Sequence, residues 1–274
     1  MIIFFSGFKD DIIGITPFKK LLAQLMAVII TIVFGRILLT NLHGFLGIDA
    51  LNYHIGIVFT IITIIGITNC FNLMDGIDGL SASLGILGSL TFGTWFYLVG
   101  EYNWAIMSAA MAGALLAFFF FNVYGKKNKI FMGDTGALLM GFILAVMAIK
   151  FNEFNISLKG PWAIRAAPAV SIGIMMIPIF DTLRVFLTRI LKNKYPFSPD
   201  KTHIHHYLLR LGLTHFQSTL ILFLASIGFI AISWYLRFLS VAWLLLVLFC
   251  VATILSYIPI LIVEKWSNKK NVGV

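Results

Sequence analysis

Eight apolar stretches fall at about residues 20–40, 54–71, 79–99, 104–124, 135–150, 163–180, 218–236 and 239–263 of this 274-residue chain. Each is long enough, or nearly so, to cross a hydrocarbon core of roughly 30 Å. Hydrophobic residues make up 60% of the sequence and charged residues 11%, where a soluble domain carries about 25% charged residues. A chain of this kind lacks the polar surface to cover itself in water. Soluble globular classes are excluded and an integral membrane protein is predicted. Abundant Phe without strand-type alternation predicts helices, not barrel strands. The expected fold class is all-α: a polytopic transmembrane helical bundle of about eight spans in one domain, residues 1–274, with neither repeats nor a low-complexity linker.

The opening "MIIFFSGFKDD" has no basic n-region and no small-residue cleavage site, so it does not read as a signal peptide. It is too short to span and reads as an N-terminal helix remnant, the tail end of a helix. Cys70 and Cys250 sit in separate apolar runs with no disulfide or metal spacing, which points to packing.

Basic residues set the orientation. Alternate loops beginning with residues 7–20 hold fifteen Lys and Arg, while the opposite set holds only Lys150, Lys159, Arg165 and Arg237. The first set is therefore assigned to the cytoplasm. Arg36 lies near the outer end of a stretch, where snorkelling explains it. Eight of the eleven acids fall on the cytoplasmic side as well, including Asp10, Asp11, Asp75, Asp78, Asp134 and Asp181. Acids do not follow the positive-inside bias, and at the ends of spans they are costly unless a cation or partner is present. A cation site at the cytoplasmic membrane surface would account for them.

Four segments carry the candidate chemistry. In "NLMDGIDGL" (72–80), Asn72, Asp75 and Asp78 are three apart and would line one helical face. They suit a capped turn, or a site for Mg²⁺ or for sugar and nucleotide hydroxyls; the distal Glu of a calcium loop is missing. "FMGDTGALLMG" (131–141) opens a helix with Asp134 and Thr135 between glycines. That reads as an N-cap, or as a metal-ligating carboxylate beside amides that suit phosphate. Phe131 could stack on a flat ring or anchor at the interface. "GFKDDIIGITPFKKLLAQ" (7–24) pairs two aspartates with two lysines. Adjacent helical side chains point about 100° apart, so Asp10 and Asp11 should differ in role; Lys19 or Lys20 could hold phospholipid head groups. In "SPDKTHIHHYLLR" (198–210), Lys201, His203, His205 and His206 cluster within six residues. With no nearby Cys, they fit an anionic phosphate better than zinc.

In this order the segments resemble those of the polyprenyl-phosphate N-acetylhexosamine-1-phosphate transferase family, the superfamily that includes phospho-N-acetylmuramoyl-pentapeptide transferase. The resemblance rests on "DDIIGITPFKKLLAQ", "NLMDGIDGL", "FNVYGKKNKIFMGDTG" and "SPDKTHIHH" and spans nearly the whole chain. It implies that a UDP-activated N-acetylhexosamine gives its sugar-1-phosphate to undecaprenyl phosphate and releases UMP, starting lipid-linked glycan synthesis. The His-x-His-His form resembles the branch using UDP-GlcNAc. By the family pattern Asp10 is the candidate base for the lipid phosphate, Asp11 supports the metal site and Asp134 ligates Mg²⁺ (or Mn²⁺). Asp75 and Asp78 join Asp134 at the metal. Asn72, Asp75, Asn122 and Phe131 line the nucleotide, and Lys20, Lys201, His203, His205 and His206 face phosphates. All four segments are expected to meet on one magnesium-bound diphosphate. The resemblance further implies the bacterial cytoplasmic (inner) membrane with a site facing the cytoplasm, lipid bilayer contact, no nucleic acid, and a homodimer among the partners considered. Two departures stand out. Many members have an acid where Gly14 stands, and relatives carry spans before the Asp pair that this chain is expected to lack. The rival reading from composition is a membrane cation transporter passing Mg²⁺ or protons along intramembrane acids. A transferase acting on CDP-alcohols is disfavoured, because "DGIDGLSAS" lacks an Arg near its first Gly.

Overall fold

The computed structural model describes residues 1–193 and 202–272. Helix α1 (Ile2–Ile13) ends at Gly14, whose φ of 66° turns the chain. Pro17 then opens α2 (Pro17–Val33) after an extended Thr16, a position where the missing N–H costs nothing. Asn52 caps α3 (Tyr53–Met74) by accepting from the His54 amide. Helices α4 (Leu80–Leu98), α5 (Tyr102–Tyr124) and α6 (Gly133–Asn155) follow. Next come α7 (Ala167–Ile174), α8 (Met176–Leu191) and the short α9 (Ile204–Arg210). A Thr214–Gln217 capping box starts α10 (His215–Tyr235), and α11 (Val241–Val272) runs through Pro259.

Five helices are long and apolar enough to cross a membrane: α3, α5, α6, α10 and residues Val241–Lys265 of α11. The pair α7–α8 makes a sixth if its 85° bend is counted within one span. Three expectations change in detail. The stretch at 163–180 is not one helix, because the chain breaks at Met175. The stretch at 20–40 stops at Val33; Arg36 adopts a φ of 50°, and the chain then pairs β1 (Asn41–Phe45) with β2 (Ile48–Ala50) in a small antiparallel hairpin. Gly44 and Gly47 supply the positive φ angles this turn needs. Finally, α2 has 17 residues and α4 is diluted by Ser, Thr and Gly, so neither belongs to the set of apolar crossing helices.

Helix α6 is the most buried of these candidate spans, with α3 along one side and α4 along another. The α3–α6 contact is close because a Cβ on Gly141 would lie 2.9 Å from the Thr68 Cα. Polar contacts gather at the two ends of the bundle. At one end Glu153 accepts from Thr40, His43 meets the Asn152 carbonyl, and Trp95 donates to the Trp162 carbonyl. At the other end lie the contacts of Asp11, Lys20, Asn72, Asn122, Asp78 and Asp181. Only this second end carries the motifs.

Candidate functional site

Helix α1 reaches the start of α6 through Gly7, where an added Cβ would sit 2.5 Å from the Thr135 Cα. No larger residue permits that crossing. It brings Asp11 over the first turn of α6, where one carboxyl oxygen accepts from the Asp134 amide at 2.7 Å. The other accepts from the Thr135 amide at 3.0 Å and its hydroxyl at 2.5 Å. Asp11 therefore caps α6 from another helix, satisfying amides that would otherwise be orphaned. Gly133, with φ 60°, is required beside it, since a Cβ there would lie 2.8 Å from Asp11. Burial raises the Asp11 carboxyl, but the Thr135 and Asp134 bonds outweigh it and hold it below the usual carboxylate range.

Asp10 points elsewhere, as the helical angle requires. Its Oδ1 accepts from the Ile15 amide at 2.8 Å and its Oδ2 lies 3.1 Å from Lys20 Nζ. Burial again pushes upward, and the Ile15 amide with Lys20 overcomes it to keep Asp10 below its ordinary value. Lys20 Nζ also lies 2.6 Å from Asp134 Oδ1 and 3.4 Å from Asn72 Oδ1, while the Asn72 amide donates to the same Asp134 oxygen. Oxygens from α1, α3 and α6 thus converge on one ammonium group.

Asp75 terminates α3 and accepts from Ser81 Oγ at 2.5 Å. Burial, then the charges of Asp134, Asp11 and Asp78, raise its carboxyl above the ordinary value. Asp78 has two cationic partners: its Oδ2 lies 2.7 Å from Lys129 Nζ and 3.1 Å from His215 Nδ1. Burial of Asp78 is outweighed by these two partners, which lower it. Asp78 thus has cationic partners of its own, while Asp75 lies in the fields of both Asp134 and Asp78. Among the described residues no three His, Cys or acidic side chains stand together so as to hold a metal ion.

The donors nonetheless suit a hard cation. Every group around Lys20 Nζ is a carboxylate or amide oxygen, the class that Mg²⁺ selects. Asp75 adds a half-buried carboxylate in the field of Asp134.

Phe131 is 75% exposed with Lys129 Nζ 5.4 Å from its ring centroid, which leaves a face open for stacking. Asn122 is 5% exposed and spends its amide on structure, accepting from the Gly79 amide at 2.7 Å and donating to the Ile130 carbonyl at 2.8 Å. It ties the start of α4 to the loop bearing Phe131. Lys201 lies outside the described residues. His203 bonds Asp181 at 2.8 Å, and His205 is buried with its ring against Gly76, where a Cβ would lie 2.5 Å from Nε2. Burial, then the neighbouring His206, pushes the His205 imidazole down to about 4. His206 packs on His205 with ring centroids 4.2 Å apart.

Sequence reasoning gave no role to Ser81, Lys129, Asp181 or His215. Asp181 had a signal, a carboxylate set inside the apolar run "IPIFDTLRV". The other three are ordinary surface types, and only their partners reveal them.

These features describe an acidic and cationic site at one end of a membrane-helix bundle, and the chain belongs to glycosyl transferase family 4, whose pattern matches residues 1–152. It is 34% identical over 80% of its length to an undecaprenyl-phosphate alpha-N-acetylglucosaminyl 1-phosphate transferase of Haemophilus influenzae, covering 61% of that relative. It is 30% identical over 92% of its length to the protein of the same name in Escherichia coli K12, covering 68% of it. A probable undecaprenyl-phosphate N-acetylglucosaminyl 1-phosphate transferase of Bacillus subtilis is 36% identical over 55% of the chain, which covers 39% of that protein. The chain thus spans about two thirds or less of these relatives.

Proposed function

We propose that this protein transfers a sugar-1-phosphate, GlcNAc-1-phosphate before others, from a UDP-sugar to undecaprenyl phosphate, releasing UMP at the cytoplasmic face of a bacterial inner membrane. The carrying observation is the meeting of Asp10, Asn72 and Asp134 around Lys20, with Asp11 holding the amides of α6, at the end of the bundle. The relatives' names point to the same reaction. The reading includes eight crossings, with α2 and α4 completing the set.

The chemistry exchanges one phosphoanhydride for another, so little free energy is released and no ATP is required. The work is charge neutralisation around the diphosphate and the attacking lipid phosphate. Asp134 and Asp75, with Asn72, would hold Mg²⁺ or Mn²⁺, which supplies Lewis-acid stabilisation of phosphate charge when bound. Lys20 would then turn from the carboxylates to a phosphate oxygen. Asp10, off the α6 cap and ionised at neutral pH, would take the lipid phosphate's proton. Exposed Phe131 offers its face to the uracil, and Asp78 fixes Lys129 next to it. The His segment faces the departing phosphates. A transporter finds no support: the acids of the motifs gather at one end, and the relatives are named as transferases.

The test is UMP release by the purified full-length protein with Mg²⁺, undecaprenyl phosphate and a panel of UDP-N-acetylhexosamines. Release with UDP-GlcNAc is expected; no release with any sugar overturns the reading.

A further inference from the structure

Asp181 belongs to none of the four motifs, yet it organises the imidazole segment. It follows the 85° break between α7 and α8 and is 2% exposed. Its Oδ1 accepts from Arg184 Nη2 at 2.7 Å and from the Ile204 amide at 3.0 Å. The second bond caps α9, whose N-cap residue His203 supplies no side-chain cap of its own. Arg184 Nη2 also donates to the Thr202 carbonyl at 2.6 Å, closing a ring of contacts around the entry to α9. Oδ2 of Asp181 faces His203 Nδ1 at 2.8 Å, and His203 is 5% exposed.

A carboxylate can only accept, so His203 carries its proton on Nδ1 and keeps Nε2 as its remaining polar atom. The His203 ring stacks on His205, with centroids 5.7 Å apart and planes 8° from parallel. His205 in turn lies on Gly76, between Asp75 and Asp78, and its two ring nitrogens have no hydrogen-bond partner among the described residues. A continuous line therefore runs from α8 through two imidazoles to the acidic loop.

We propose that Asp181 is a positioning residue: it fixes the tautomer of His203 and, through the stacked rings, seats the imidazole segment on the Asp75–Asp78 loop. The proposal rests on the transferase reading. Partners that orient metal-ligating histidines are worth about 10- to 100-fold in activity, and the same scale is taken for a histidine oriented toward a phosphate. A buried ion pair with a purely structural role would lower stability without depending on His203.

The test combines a mutant cycle with a measurement that needs no turnover. Asp181→Asn keeps the shape but lets an amide N–H face Nδ1, so it can reverse the tautomer. It should lower kcat/KM for UMP release by about 10- to 100-fold. In a His203→Gln background the same change should cost less than about twofold, since coupled sites are not additive. In ¹⁵N-histidine NMR, wild-type His203 should show a protonated Nδ1, and Asp181→Asn should move that proton. Where Asp181→Asn fails to fold, Asp181→Glu carries the same two measurements, with a displaced His203 signal expected. Losses that multiply in the double variant, or an unchanged His203 tautomer, overturn the proposal. Wild-type protein that releases no UMP removes the transferase reading instead, and the tautomer still decides whether Asp181 positions His203.

Discussion

Asp134 meets its neighbours through two different groups: its backbone amide donates to Asp11, and its side chain faces Lys20 and Asn72. Asp134→Asn changes only the second, so the α6 cap survives. UMP release should fall by at least about 100-fold, as when one electrostatic stabiliser is removed, while the protein still inserts and folds; unchanged turnover would take Asp134 out of the site. His205 gives a pH prediction of definite sign. Its folded value of about 4 lies below the ordinary 6.5 because burial disfavours the imidazolium. Between those values the unfolded chain binds a proton that the folded chain refuses. The contribution of a neutral His205 is complete above about pH 6.5 and erodes toward pH 4, by about 3 kcal/mol at most. Denaturation midpoints in detergent at pH 7 and pH 5 should separate for wild type and draw together for His205→Gln; equal pH slopes would reject burial as the cause. The candidate residues themselves were legible in the sequence, since acids at the ends of apolar runs are costly without a purpose. Their division of labour was not. Whether a carboxylate caps, pairs or waits for a ligand depends on residues 50 to 140 positions away, as Asp11 with Asp134 and Asp78 with His215 illustrate.

Helices deliver these side chains, and glycines decide how closely the helices approach. Gly7→Ala would place a Cβ 2.5 Å from the Thr135 Cα, against backbone that cannot rotate away. The α1–α6 crossing must open, at about 1–3 kcal/mol, and Asp10 and Asp11 withdraw with it. Gly66→Ala and Gly113→Ala meet nothing within 4 Å. They should stabilise by up to about 1 kcal/mol through helix propensity. Thermal melts of the three variants with activity alongside check this, and a harmless Gly7→Ala would show that α1 is not held where described. Asn122 separates two roles in the same way. As a brace between Gly79 and Ile130, its replacement by Ala should cost about 1–3 kcal/mol of stability, since buried partners are left unsatisfied. As a nucleotide contact alone it would alter KM for the UDP-sugar and leave the melting temperature in place. Nothing in "FFFFNVYG" distinguished these roles, because a buried Asn and a binding Asn look alike until both partners are known. The apolar runs likewise located most helices but not the breaks at Met175 and Val33.

At the scale of the molecule the side-chain contacts constrain how many times the chain crosses. Asn72, at the end of α3, bonds Asp134 at the start of α6, so both lie at one end of the bundle. Between them run α4 and α5, and α5 is long and apolar enough to cross. An odd number of crossings would separate the two residues, so the proposed eight-crossing topology has α4 cross as well. Its 19 residues reach about 28 Å, close to the hydrocarbon thickness. In that topology the Lys20–Asn72 contact asks the same of α2, since α3, itself long and apolar enough to cross, lies between them. Ser81, Ser83 and Ser89 of α4 are buried against its neighbours, which is compatible with that topology. The hairpin tip at Leu46 and the basic loop at Lys127 are both exposed and are separated by α3, α4 and α5. With Cys70 and Cys250 replaced by alanine, Leu46→Cys should react with a membrane-impermeant maleimide in right-side-out vesicles. Lys127→Cys should react only when the vesicles are inverted. If both react from the same side, α4 does not cross, Asn72 and Asp134 cannot share a face, and the site described here does not form in the membrane.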